Sequence, residues 1–382
     1  MKVVAALDSF KGSLDSAAAG RAVRDGVLAA DPDAEVVVRP VADGGEGTLA
    51  ALLSTGGREV AVDAVDALGR RVRAPIGLIA RGGRRTAVVE AARTIGLAEV
   101  GVVDAALPPR ASSYGVGLQL RAALDRGVDR VLVALGGTAT TDGGTGLLAA
   151  LGAELVDGTG AAVDGTRGNP LWRGARLRAA TLPRIGTELV VLTDVRNPLT
   201  GTEGAAAVFG PQKGASPAQV VRLDELLAAW GGSLAAATGR PVVEVAGAGA
   251  AGGLGAALLA LGGSLESGFA RVADETGLAA AMVGADLVLT GEGAVDAQTT
   301  WGKAPAGVAR LARDAGAVVV ALGGSVQRPV GGVFDAVLPI HARPRALTEA
   351  MEPAVTAAEL AATAAEVVSL VAAARTAPRV ER

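Results

Sequence analysis

Residues 286–303 read D-L-V-L-T-G-E-G-A-V-D-A-Q-T-T-W-G-K. The first five form a short apolar run of the buried-strand type. Two glycines then flank one acid, Gly291-Glu292-Gly293, and a second acid, Asp296, follows four residues later. Gln298, Thr299 and Thr300 add an amide and two hydroxyls, and Gly302-Lys303 ends the stretch where a helical pattern over 304–315 begins. The order is strand, glycine-rich polar loop, helix. Glycine lets backbone approach a ligand closely. Paired carboxylates can hold Mg²⁺ or accept a proton, and a lysine meets phosphate as a point charge.

The same design recurs on both sides. Apolar runs at 3–7, 35–41, 131–135, 188–193 and 318–322 are each followed by a polar cluster. These clusters begin at Asp8, Asp43, Gly136, Asp194 and Gly323. In parallel α/β sheets ligands bind outside the carboxyl ends of the strands, so the acids and lysines are expected to share one cleft. Residues 58–90 differ: three β-type runs with glycine turns between them predict an antiparallel or mixed sheet and the start of a second domain. Ser13 is expected to cap a helix over 14–30. Ser216, with Pro217 and Gln219, spells a capping box for a helix whose stripe is Val220, Leu223, Leu227 and Trp230. A closing amphipathic helix over 352–374 is expected to turn Val355, Leu360, Val367 and Leu370 inward.

Composition narrows the class. The 382 residues suffice for two domains with a sizeable core. Half the residues are apolar but only 2% aromatic, so Ala, Val and Leu build that core. A net charge of -3 gives no reason to expect nucleic acid or an anionic membrane. There is no cysteine, hence no thiolate chemistry, which suits the cytosol. The N-terminus runs straight into a strand rather than a signal-peptide pattern. With a single histidine, His341, a histidine triad or multi-histidine metal site is not expected, and His341 reads as structural or rim. Lysine usage is more telling. Of 36 basic residues, only Lys2, Lys11, Lys213 and Lys303 are lysine, and the last three each lie beside a glycine. Arginine's planar fork does not replace a compact ammonium in a tight space.

Residues 247–252, G-A-G-A-A-G, match the dinucleotide pattern G-x-G-x-x-G after a possible strand at 242–246. No ribose-binding acid at a strand end follows, so close backbone packing is the favoured reading and dinucleotide binding the rival. Carboxylates, three glycine-flanked lysines and glycine-rich anion loops suit Mg²⁺-assisted phosphoryl transfer on a small anionic metabolite. The loop 136–146 offers backbone N–H groups, hydroxyls and one acid at a helix N-terminus, a common phosphate cradle.

Taken in order, D-S-F-K-G-S (8–13), P-V-A-D-G-G-E-G-T (40–48), G-G-T-A-T-T-D-G-G (136–144), D-V-R-N-P-L (194–199), F-G-P-Q-K-G-A (209–215), G-A-G-A-A-G-G-L-G (247–255) and G-E-G-A-V-D-A-Q-T (291–299) resemble the bacterial glycerate kinase family, glycerate 2-kinase type. Thr138, Thr141, Val295 and Tyr114 stand where that family often has Ser, Asn, Ile and Arg. The resemblance implies ATP-dependent phosphorylation of D-glycerate to 2-phospho-D-glycerate. It also implies two α/β domains: a Rossmann-like or flavodoxin-like parallel-sheet domain from both chain ends (1–72 and 285–382), and a mixed α/β domain (73–284) inserted between them. A cytoplasmic monomer or homodimer is expected, with ATP and Mg²⁺ and no nucleic-acid or membrane partner.

Roles follow by residue. Lys11, with Asp8 and Ser9, is placed on the glycerate carboxylate or the transferring phosphate. Asp43 and Glu46 are to orient hydroxyls or act as base, with Asn197 beside the substrate. Gly136, Gly137, Thr138, Thr140, Thr141 and Asp142 are to bind nucleotide phosphates, with Lys213 and Lys303 neutralising charge. Asp194, Glu292 and Asp296 are candidates for Mg²⁺ or general base. Three alternatives stay open: a 3-phosphoglycerate-forming kinase, a dinucleotide-binding oxidoreductase and a non-catalytic metabolite-binding regulator.

Overall fold

The computed structural model describes residues 1–297, 299, 303–328 and 332–376. Gln298 and Thr300 lie outside the described residues. Strands β1 (Lys2–Leu7) and β2 (Glu35–Val38) open the chain. The middle supplies β3 (Arg58–Val65), β4 (Arg71–Arg81), β5 (Arg84–Glu90), β6 (Arg130–Ala134), β7 (Leu155–Val156), β8 (Arg176–Leu177), β9 (Glu188–Leu192) and β10 (Ser264–Glu266). Strands β11 (Leu287–Val295), β12 (Val318–Val326) and β13 (Ala336–Pro339) follow.

Two compact units result: Met1–Asp43, Ala50–Thr55 and Phe269–Arg382 in one, Gly44–Leu49 and Gly56–Gly268 in the other. The divisions thus fall at 55/56 and 268/269 rather than at 72/73 and 284/285. All eight residues of β3 pair antiparallel with β4, which draws 58–65 into the second sheet. At the other boundary, Phe269, Ala273, Leu278 and Met282 pack with Val4 and Val288 of the first.

In the first unit every strand pairing is parallel, in the order β13-β12-β11-β1-β2. Such a sheet needs cover on both faces, and alternate residues supply it. Val3, Ala5 and Leu7 enter one core with Leu287, Leu289 and the helices Ser16–Ala30 and Pro353–Thr376. Val4 and Ala6 enter the other with Val288, Val319 and the helix Ala304–Asp314. The segment Pro353–Arg375 is apolar and long enough to cross a membrane by length and composition. Here, however, it buries Leu360, Ala364, Val367 and Val368 against the sheet. It runs so close to the N-terminal helix that a Cβ on Gly26 would sit 2.0 Å from the Ala361 carbonyl oxygen. Leu370, expected inward, is 72% exposed, because the buried stripe passes through 367, 368 and 371 instead. Asp15, not Ser13, caps the first helix by accepting from the Ala18 N–H. Ser13 Oγ instead hydrogen-bonds Thr356 Oγ1 at 2.6 Å.

The second unit is built on a mixed sheet, β10-β9-β6-β5-β4-β3, in which β5, β6, β9 and β10 run parallel and β3, β4 and β5 antiparallel. Strands β7 and β8 form a separate ribbon. Ser216 makes both halves of its capping box, and Leu223, Leu227 and Trp230 are fully buried as the periodicity predicts.

Candidate active site

In the first unit the chain leaves β1 toward β2 on one side, while β11, β12 and β13 extend the sheet on the other. The switch point between β1 and β11 is where a parallel sheet opens a crevice at its carboxyl edge. A cavity of about 400 Å³ lies at this edge. Ser9 and Lys11 reach it from the loop after β1, Glu292 from β11, Ser325 from β12, His341 from beyond β13, and Lys303 from the start of the helix Ala304–Asp314. His341, expected at the rim, thus lines the cavity, and its Nδ1 is buried with no partner among the described residues.

The acids of this edge are tied together. Glu292 Oε1 accepts from Thr299 Oγ1 at 2.7 Å, and Glu292 Oε2 pairs with Lys303 Nζ at 3.3 Å. Thr299 Oγ1 also accepts the Asp296 N–H at 3.0 Å, and the Thr299 N–H donates to Asp296 Oδ1 at 3.2 Å. One threonine therefore sets two of the predicted carboxylates. Asp8 is 6% exposed and takes the Ser9 N–H at 2.6 Å. Burial pushes its carboxyl up to about 8, the Asp43 charge and to a smaller degree the Glu292 charge add to this, and the Ser9 N–H and Lys11 oppose it. Asp43, Lys11 and Glu292 thus all lie near enough to act on Asp8 electrostatically.

The second unit treats its predicted residues differently. The loop from Gly136 to Asp142 is fastened through its backbone: Gly137 O accepts from the Leu97 N–H at 2.8 Å, the Ala139 N–H donates to Ile95 O at 2.8 Å, and Thr141 O accepts from Asn169 Nδ2 at 3.1 Å. Asp142 is fully buried and accepts from the Ser113 N–H and Oγ, both at 2.8 Å, and from the N–H groups of Gly144 and Gly146. Burial raises its carboxyl while those donors hold it down. Four donors and no acceptor define a carboxylate that pins the following helix, not one turned to a ligand. Lys213 is 4% exposed, with Nζ donating to Thr140 O at 2.7 Å and lying 3.4 Å from Thr138 Oγ1. Burial brings its ammonium down to about 7, against the pull of Asp142. Lys213 and Asp142, expected on phosphate, are committed to protein partners instead. Asn197 is tied at two points: its side-chain Nδ2 donates to Glu203 O at 2.7 Å, and its backbone carbonyl accepts from the Gly247 and Gly249 N–H groups. Asp194 is exposed just past β9.

The glycines 247–252 serve packing. No strand precedes them. Gly252 has φ +69°, and a Cβ there would sit 2.0 Å from Thr140 O and 2.7 Å from Thr141 Cα. The motif lies against the loop backbone, where a dinucleotide pyrophosphate has no room.

Two features escape the sequence reading. Glu90, at the end of β5, is 1% exposed and accepts the N–H groups of Gly47 at 3.2 Å and Leu49 at 2.8 Å, so it holds the loop carrying Glu46. Burial raises its carboxyl against those two donors. The rule of polar residues after apolar strands, applied to 86–90, points to it. The other is a cavity of about 570 Å³ lined by Glu46, Gly137, Arg71 and Arg93. Arg71 comes from β4 and Arg93 from the helix Ala92–Ile95, so the two meet only through the fold.

The model of the glycerate kinase family matches residues 3–372. A glycerate kinase of Halalkalibacterium halodurans is 40% identical over 376 residues, covering 96% of this chain and 98% of its own. The glycerate 2-kinase of Escherichia coli is 40% identical over 339 residues, 88% of each chain. A crystal structure described as glycerate kinase 2 from Salmonella typhimurium superposes with a TM-score of 0.82 at 38% identity, covering 99% of this chain and all of that one. By family model, relatives and fold alike, this chain belongs to the glycerate kinase family.

Proposed function

We propose that this chain transfers the γ-phosphoryl group of ATP to the 2-hydroxyl of D-glycerate, giving 2-phospho-D-glycerate and ADP. The observation that carries the reading is the convergence of Lys11, Lys303, Asp8 and Glu292 at the switch point of the first sheet, in a chain of this family. The name of the Escherichia coli relative supports the 2-hydroxyl as acceptor.

Phosphoryl transfer asks a protein mainly for positioning and charge neutralisation. Lys11 and Lys303 meet the phosphate charge, Lys303 held in place by Glu292. Asp8, raised to about 8, keeps its proton at neutral pH and so can donate a hydrogen bond to the substrate. Asp43, less buried than Asp8, accepts the proton of the acceptor hydroxyl. The brace formed by Asp142, Lys213 and Gly252 keeps the loop 136–142 in one shape.

Mg²⁺ fits the first unit. Glu292, Asp296 and Thr299 form an oxygen donor set of the kind a hard cation takes. No group of three or more His, Cys, Asp or Glu able to hold a metal occurs among the described residues. Kinase Mg²⁺ takes one or two carboxylates and completes its shell with phosphates and water. Glu292 and Asp296 would hold it, and when bound it would neutralise charge on the transferred group.

The test is ADP release by the purified chain with MgATP, with and without D-glycerate. Glycerate-dependent release is expected. Binding of glycerate without ATP consumption would favour the regulator, and neither binding nor turnover contradicts the assignment.

A further inference from the structure

We propose that the cavity at the carboxyl ends of β1, β11, β12 and β13 seats the purine nucleotide, with its base on the apolar wall made by Phe10, Ile340, Leu347 and Met351. The placement rests on the reading of the chain as an ATP-dependent kinase and adds to it the nucleobase subsite.

The cavity lining is of two kinds. Lys11, Lys303 and Glu292 are charged, and Phe10, Ile340, Leu347 and Met351 are apolar. Its volume of about 400 Å³ lies within the range of small-molecule sites, roughly 300–1,000 Å³. Glycerate, three carbons bearing a carboxylate and two hydroxyls, has no apolar face to set against such a wall. A purine nucleotide has both halves: a flat, weakly hydrated base and an anionic tail. Leu347 is 74% exposed and Met351 37%, while Phe10 and Ile340 are buried, so the Leu347 and Met351 part of the wall stands in water and gains by being covered.

Two polar atoms point the same way. Ser9, only 8% exposed, lines the cavity, and its buried Oγ has no partner among the described residues. His341 Nδ1 is in the same condition and lines the same cavity. An unpaired buried polar atom is costly. A bound nucleotide satisfies both, Ser9 Oγ on a phosphate oxygen beside Lys11 and His341 Nδ1 on the ribose or base. The helix Ala304–Asp314 begins at Lys303, so its N-terminal N–H groups lie on the phosphate side.

The experiment is calorimetric titration of the full chain, wild type and the variants Leu347→Glu and Met351→Glu, with ADP and with inorganic tripolyphosphate. Both side chains are partly in water, so the fold survives their replacement. A carboxylate on the wall is desolvated by the base, and ADP affinity is expected to fall about tenfold or more while tripolyphosphate affinity stays within about twofold. The KM for ATP should rise by the same factor, with the KM for glycerate unchanged. Wild-type ADP affinity in both variants overturns the placement, and so does an equal loss of ADP and tripolyphosphate. A wild type that binds ADP in a Leu347-dependent way yet leaves glycerate untouched keeps the nucleotide site and overturns the assigned reaction.

Discussion

Gly252→Ala is the sharpest test of how the second unit is held. At φ +69° an alanine is strained, by about 1–2 kcal/mol. Its Cβ would also lie 2.0 Å from Thr140 O and 2.7 Å from Thr141 Cα, both backbone atoms that cannot rotate away. The loop must therefore move, and overpacking of this kind costs about 1–3 kcal/mol. The sum is about 2–5 kcal/mol, and at about 2–4 °C per kcal/mol for a unit of this size the melting temperature should fall by roughly 5–20 °C. Displacement of Thr140 also disturbs its carbonyl's hydrogen bond from Lys213. Differential scanning calorimetry reads the shift, and NAD titration accompanies it. An unchanged melting temperature together with an NAD affinity that the substitution abolishes would mean that the glycine faces a dinucleotide after all.

Lys11→Arg and Lys303→Arg keep the charge but move it by about an ångström, and each should lower kcat/KM by roughly 10- to 1000-fold, about 1.4 to 4 kcal/mol, with circular dichroism unchanged. Wild-type kinetics in both would remove these lysines from the site. Lys213→Arg puts a bulkier fork into a slot only 4% exposed, so the expected result is a stability loss of about 1–3 kcal/mol in urea unfolding. A normally stable variant with impaired kinetics would restore Lys213 to the phosphate. Asp8→Asn tests the buried acid. With the folded value raised to about 8 from 3.8, the native state holds the extra proton between those limits, and wild-type stability is lost as pH rises through that window, by about 1 kcal/mol per unit. The variant should therefore gain on the wild type from pH 5 to pH 8 in urea unfolding, and parallel profiles would contradict the raised value.

Fold class was legible because β1 and β11 are buried on both faces and each ends in a polar loop, a pattern that only a covered parallel sheet explains. The capping box at Ser216 was legible because it is wholly local. What was not legible depends on contacts distant in sequence. Residues 58–90 read as antiparallel or mixed sheet from the sequence, and the pairing of β3 with β4 puts the division at 55/56 rather than at the 72/73 that the resemblance implied. The glycine- and threonine-rich loop at 136–146 has the composition of a phosphate cradle, but Ser113 donates to its acid, and Asn169, Ile95 and Leu97 engage its backbone. Lys213 stood out in the sequence as a glycine-flanked lysine in an arginine-rich chain, and its side chain is buried. Its Nζ donates to Thr140 O, a contact far away in sequence that no local motif announces. That Lys11, Glu292 and Lys303 would lie at the sheet's carboxyl edge was readable, because strand, glycine-flanked polar residue and helix start are adjacent in sequence there.

The central claim is that the phosphoryl group goes to the 2-hydroxyl of glycerate, and the most direct measurement is the identity of the product. Enolase acts on 2-phosphoglycerate and not on the 3-isomer. With MgATP, D-glycerate, this chain and enolase, and no mutase, phosphoenolpyruvate should form at the rate of ADP. ADP formation with phosphoenolpyruvate appearing only after mutase is added would contradict the claim and assign the 3-hydroxyl.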